Sequence, residues 1–423
     1  MKIVQHFISL IILNTCCINY SFAQNLKSEV FLTDSIFKNG SSLFKKVILG
    51  ADTYKLQIIY TQIDRDKNDK PFYHTYRFHV DSSNYFYPAS LVKLPLSALA
   101  LEKISSLKIN GVHKFTKIVY DSAFSCQISL KTYKKSIEGY PSIGDFIRRM
   151  LLVSDNIAYS RVFEYCGQEY LHRRLSEMGF HRVRITHRFD PGCDTLENRY
   201  TNPIGFYDEK GVLLYKQEMQ YSSEILRNPM GKVSVGKANI INEKLIKTGR
   251  DFTNSNYLPL NDVHIMIQSL IFPQSAAEPY KFKLSEDDFS FIRKYMRMYP
   301  RQSAYEEYRS GSGYFDAYKK YLFYGRSEEI EGNENFRIYN VVGMSYGFLA
   351  DCAYFADLKN NVDFFLSAVI YTNKSEVINS GNYEYKSIGL PFLKELGELI
   401  YNYEIKRKKV QQPDLSKLLN ESY

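Results

Sequence analysis

Strand-like alternation stands at both ends of this chain, and any fold has to bring those ends together. Near the start, Leu56-Gln57-Ile58-Ile59-Tyr60 and Tyr76-Arg77-Phe78-His79-Val80 read as two strands of a hairpin, with the polar stretch Asp64 to Lys70 as the turn. After residue 335 come Phe336 to Val342, Gly347 to Ala356 and Asp363 to Tyr371, joined by turns at Ser345-Tyr346 and Asp357 to Asn361. Helical spacing follows in Leu390 to Tyr403. Between the two ends, Leu91 to Ile104, Ile143 to Val153, Asn156 to Cys166, Glu169 to Met178 and Asn261 to Ile271 read as helices. Residues 24–45 are a lead-in with a helix, 183–260 are irregular, and 275–335 are Tyr-rich and polar. The order predicts an α/β unit: an antiparallel sheet built from both chain ends and flanked by helices, with a mainly helical second lobe. The expected division is an α/β lobe at about 45–90 and 335–410 and a helical lobe at about 91–334, within one domain over 24–423.

The first residues read as an export signal: Lys2, the apolar run Phe7 to Leu13, and small residues at Ser21 and Ala23 before Gln24. The run is too short to cross a bilayer. A cleaved signal over 1–23 places the protein in the periplasm or outside the cell. Lipidation at Cys16 or Cys17 is the lesser alternative, because Leu13-Asn14-Thr15 fits a lipobox poorly. No later stretch reaches 18 apolar residues, so no membrane span is expected. The formal charge of +9 comes from Lys and Arg interleaved with Asp and Glu, and Lys406-Arg407-Lys408-Lys409 reads as a solvated helix end, so no nucleic-acid partner is expected. Scattered His residues and the absence of HExxH and CxxC give no reason to expect a metal or other cofactor. Cys126, Cys166, Cys193 and Cys352 are read as buried free thiols, although an exported chain permits disulfides.

A Ser with Lys three residues on places both side chains on one helix face, where a neutral Lys can help remove the Ser proton. The spacing recurs at Ser35/Lys38, Ser42/Lys45, Ser90/Lys93, Ser105/Lys108 and Ser234/Lys237, so context has to choose. Tyr85 to Ala89 leaves the strand region and Ser90-Leu91-Val92-Lys93-Leu94-Pro95 opens a long apolar helix. A Ser at a helix start has free main-chain N–H groups around it for a developing oxyanion. The plain alternative is a capping Ser with a surface Lys. Ser154-Asp155-Asn156 occurs once, between two helices, and on its own reads as an N-cap.

Together these elements resemble the active site of the class A β-lactamases and penicillin-binding proteins, which pair Ser-x-x-Lys with Ser-Asp-Asn and a strand bearing Lys-Thr-Gly. The resemblance spans roughly residues 45–405. It implies that Ser90 is the nucleophile, with Lys93 in its proton network, Ser154 relaying a proton and Asn156 bonding the substrate amide. Arg188-Phe189-Asp190-Pro191 resembles the family's Arg-x-Glu-Pro loop, with Asp190 in place of the longer Glu that activates water; Glu197 is the alternative base. Lys247-Thr248-Gly249 spells the third motif, but no paired strand follows it. Val341-Val342-Gly343 is the better positional match. The resemblance then implies an oxyanion hole from the N–H groups of Ser90 and Met344, with Gly343 beside them. Val341 and Val342 cannot hold a substrate carboxylate, and no Lys or Arg lies between Arg337 and Lys359.

The implied function is a serine hydrolase that forms an acyl-enzyme at Ser90 and hydrolyses a β-lactam or a related amide or ester, with a small-molecule or peptide acyl substrate. Two alternatives stand beside it: a slow penicillin-binding peptidase or esterase of the cell envelope, and a non-catalytic envelope binding protein that keeps the fold.

Overall fold

The computed structural model describes residues 26–309 and 313–419. The expected signal at 1–23 lies outside the described residues. Ser41 starts helix α1 (Ser42–Leu49), its hydroxyl accepting from the Phe44 N–H at 3.2 Å. The hairpin β1 (Gln57–Arg65) and β2 (Pro71–Phe78) follows. A short 3-10 turn, Ala89–Val92, leads into α2 (Lys93–Leu107), then β3 (Lys117–Tyr120), α3 (Ile143–Val153), α4 (Asn156–Cys166) and α5 (Gln168–Glu177). The stretch expected to be irregular holds short strands instead: β4 (Ile204–Tyr207), β5 (Leu213–Gln217), β6 (Ser234–Val235), β7 (Ala238–Ile241), β8 (Lys244–Ile246) and β9 (Arg250–Asp251). Helices α6 (Leu260–Ile271) and α7 (Glu286–Arg297) complete the middle. The long strands β10 (Phe336–Ser345), β11 (Phe348–Asp357) and β12 (Val362–Tyr371), the short β13 (Val377–Ile378) and α8 (Leu390–Lys406) end the fold.

The central sheet has the order β10-β11-β12-β1-β2, every pair antiparallel. Both chain ends therefore build one sheet, as the strand pattern requires. Its two faces are both covered, which is why β1 and β10 to β12 are buried almost without interruption. Side chains alternate between two cores along each strand. Ile59 and Ile63 join α2 to α7 and the middle of the chain on one side; Ile58 and Tyr60 join α1 and α8 on the other. Tyr346 and Gly347 both have positive φ, 53° and 88°, and close the β10–β11 hairpin with a two-residue turn.

Helix α2 is buried from Lys93 to Ile104, so it is apolar nearly all round and its charges need partners. Glu102 receives Arg174 at 2.6 Å, and Lys103 donates to the Tyr165 carbonyl at 2.5 Å. Among the described residues, no helix is long and apolar enough to cross a membrane.

Candidate active site

Ser90 sits in the 3-10 turn at the mouth of α2. Ala89 before it has φ +47°, a conformation that costs a non-glycine residue about 1–3 kcal/mol and marks a constrained turn. The Leu91 N–H donates to the Pro88 carbonyl at 3.0 Å. No main-chain acceptor outside the turn takes the Ser90 N–H among the described residues.

One turn along α2, Lys93 is 1% exposed. Its Nζ donates to the Ser154 carbonyl, to Ser154 Oγ at 3.0 Å and to Asn156 Oδ1 at 2.8 Å. All three acceptors are neutral, so nothing offsets burial of the charge at contact distance. Burial lowers the ammonium to about 7; Asp155 works the other way, and the charge of Lys319 adds to the fall. Ser154 and Asn156 reach Lys93 through a helix junction. Ser154 ends α3 in the left-handed region, φ +64°, and Asp155 caps α4 by accepting from the Ala158 N–H at 2.9 Å. The three short polar residues thus do both jobs: Asp155 is a cap, while Ser154 and Asn156 face the lysine.

Strand β10 is the sheet edge next to this turn. At Gly343 a Cβ would lie 2.5 Å from the Pro88 carbonyl oxygen, so only glycine allows this approach. The carbonyls of Ile338 and Asn340 accept from Lys320 at 2.6 Å and Lys319 at 3.3 Å. In an antiparallel pair each residue points its N–H and C=O to the same side. The even-numbered residues of β10 therefore face the free edge, and the Met344 N–H projects on the side from which Lys319 and Lys320 approach. Val341 packs in the core toward the helical middle and Val342 in the core toward α8. Lys247 lies past β8 on an exposed hairpin in a separate small sheet.

Lys319 was not singled out by its sequence context. It is 4% exposed, and burial lowers it to about 7, with Asp351 opposing. Lys320 is lowered by burial as well, and Asp351 is raised by burial to about 6. The Tyr-rich segment thus delivers two lysines to the edge strand that has no cation of its own near Gly343.

Arg188 anchors the loop that follows α5. It is 2% exposed, donates to Glu164 at 2.9 Å and ties the Glu197 and Tyr200 carbonyls at 3.2 and 2.8 Å. Asp190 is exposed, and only its N–H is bonded, to Ser160 Oγ at 3.1 Å. The Glu197 carboxylate accepts from the Asp194 N–H at 2.8 Å. Neither carboxylate bonds to Lys93, Ser154 or Asn156 among the described residues. The loop side chain over Lys93 is Phe189, its ring centroid 5.5 Å from Nζ.

Cys126 and Cys193 form a disulfide that pins this loop, correcting the expectation of free thiols there; Cys166 and Cys352 are free and buried. Glu197 comes near the two sulfurs, but sulfurs joined to each other do not offer thiolate ligands. Beside the loop lies a cleft of about 780 Å³, lined among others by Tyr87, His187, Phe189, Arg250 and Tyr346. Ser90 is not on its wall; Tyr87, three residues before it, is.

Residues 44–245 match the model of the beta-lactamase enzyme family. The match includes Ser90, Lys93, Ser154, Asn156 and the Arg188 loop, and ends before β10. No curated relative matches. Solved structures similar to this chain include a class A beta-lactamase from Clostridium kluyveri, 11% identical over 85% of this chain and 98% of that one, TM-score 0.45. Others are a beta-lactamase from Sphaerobacter thermophilus, 9% identical over 85% and 95%, TM-score 0.44, and one from Streptomyces albus G, 12% identical over 85% and 99%, TM-score 0.41.

Proposed function

We propose that the protein is a β-lactamase-like serine hydrolase that forms an acyl-enzyme at Ser90. The observation that carries this reading is the buried Lys93 Nζ held by Ser154 and Asn156 through neutral acceptors. Neutral Lys93 takes the Ser90 proton as Oγ attacks the substrate carbonyl carbon. The oxyanion that forms is stabilised by the N–H groups of Ser90 and Met344. A proton passes from Lys93 through Ser154 Oγ to the leaving nitrogen or oxygen, the acyl bond to that atom breaks, and an ester on Ser90 remains. Water then attacks the ester and Ser90 recovers its proton.

Slow release is favoured over rapid turnover, because neither Asp190 nor Glu197 hydrogen-bonds to the lysine among the described residues and Phe189 lies over it. The substrate class is a β-lactam or a related amide or ester, and an exported location suits an envelope substrate. Incubating the mature chain with a penicillin, beside Ser90→Ala, and weighing the intact protein tests the reading. A lasting Ser90-dependent adduct supports slow deacylation, and hydrolysed penicillin with no adduct supports fast turnover. No adduct and no hydrolysis, with no labelling by a fluorophosphonate, would leave only the non-catalytic binding reading.

A further inference from the structure

The cleft beside the Arg188 loop contains a cation with no carboxylate partner among the described residues. The Arg250 side chain, on β9, has no hydrogen bond or ion pair among the described residues, and its Nε is buried without a partner. Its guanidinium is held by ring faces instead, 4.7 Å from the Tyr346 centroid and 5.6 Å from that of Phe252. Those rings are fixed in turn, since Tyr87 packs on Tyr346 at 5.1 Å and on Phe252 at 5.5 Å. A guanidinium stacked in this way keeps its N–H edge free for a bidentate acceptor.

The other charges on the wall are already engaged. Arg188 is paired with Glu164, and Arg199 donates to the Ser222 and Ser223 carbonyls, both at 2.7 Å. The carboxylates of Asp194 and Asp251 accept from main-chain N–H groups of their own loops, both at 2.7 Å. His187 is held toward its neutral form by burial. Glu224 is the acidic wall residue with no such bond among the described residues, and its charge acts on Arg184.

Position links this cation to the reaction. Tyr346 stands two residues after Met344, so an acyl group whose carbonyl oxygen meets the Met344 N–H lies next to the turn on which Arg250 rests. We propose that this cleft is an acyl-side subsite that selects acyl groups bearing a carboxylate, with Arg250 as the residue that reads the charge. The inference rests on the Ser90 acyl-enzyme reading for its role, but the anion site is testable without chemistry.

Calorimetry on the full mature chain compares phenylmalonate with neutral phenylacetamide, which keeps the phenyl group but has no carboxylate. The wild type is expected to bind phenylmalonate about tenfold or more tightly than phenylacetamide. Arg250→Gln is expected to lose that preference and Arg250→Lys to keep part of it. The same proteins are then labelled at Ser90 with carbenicillin, which has a side-chain carboxylate, and with benzylpenicillin, which lacks it. The ratio of labelling rates should favour carbenicillin in the wild type and fall toward one in Arg250→Gln. Equal binding of phenylmalonate and phenylacetamide, or a preference unchanged in Arg250→Gln while Ser90 still labels, overturns the subsite and leaves the hydrolase reading standing. Arg250-dependent binding of phenylmalonate with no labelling by either penicillin supports the anion site and removes the hydrolase reading.

Discussion

Gly343 meets the carbonyl of Pro88 so closely that a single methyl group at Cα would come within 2.5 Å of that oxygen. The neighbour is backbone, so it cannot swing aside as a side chain would. Gly343→Ala is expected to lower stability by about 1–3 kcal/mol in denaturant unfolding. It should also slow acylation, because Pro88 is two residues from Ser90 and a shift of about 1 Å can cost 10²-fold. A variant as stable and as fast as the wild type would show that this contact does not set the Ser90 turn.

Lys93 must be neutral to accept the Ser90 proton. Its ammonium loses its proton at about 7, so acylation should rise with pH through that value and level off above it. Lys93→Met should lower the acylation rate by about 10²-fold or more and abolish that inflection. The measurement is the rate of adduct formation from pH 5 to about pH 9, a range that brackets the inflection. A flat profile in the wild type would exclude Lys93 as the titrating base.

Lys319 adds positive charge near Lys93 and so lowers the lysine further. Lys319→Met removes that charge, which should move the acylation inflection to higher pH. At neutral pH the variant is therefore slower, and it recovers as the pH rises. An inflection that stays in place, with the fold intact by circular dichroism, would mean the two lysines do not sense each other.

The exposed Asp190 carboxylate has no hydrogen bond among the described residues. Asp190→Asn is expected to leave the lifetime of the Ser90 adduct within about twofold, well short of the 10²–10⁴-fold typical of a lost general base. Time-resolved mass spectrometry after removal of excess penicillin reads this directly. A collapse of deacylation would restore Asp190 as the base.

The Cys126–Cys193 bond closes a segment with a sequence separation of 67. Cys126→Ser paired with Cys193→Ser should lower unfolding stability by about 2–5 kcal/mol. An unchanged denaturation midpoint would place the stabilisation of the loop wholly in the Arg188 contacts.

What was legible in the sequence divides along physical lines. The hairpin, the three C-terminal strands and the helices from Leu91 to Cys166 carry their own period, so the central sheet and its buried helix could be read directly. Helix α7 had signals that the Tyr-rich composition hid. Ser285 caps it, Glu286, Asp287 and Asp288 fill its first turn, and Lys294 and Arg297 its last. Strands β4 to β9 are two to five residues long, too short for alternation to register. Lys319 had no signal at all, because its place depends on a segment without period lying against an edge strand far along the chain. The same holds for Arg250, whose neighbours Tyr87 and Tyr346 are distant in sequence. The meeting of Lys93 with Ser154 and Asn156 was legible because a helix start and a helix junction impose local spacing. The disulfide was not, because spacing does not encode pairing.

An unpaired sheet margin invites a second chain to add itself as a strand, and β10 is such a margin. Lys319 and Lys320 occupy two successive carbonyls of it, and Gly343 is pressed against the Pro88 turn. The stretch around Val342 and Met344, which neither lysine reaches, is only a few residues long and too short to seed stacking of whole molecules. The two lysines thus act as guards against strand addition along the margin. Lys319→Ala together with Lys320→Ala is expected to lengthen that margin and favour self-association.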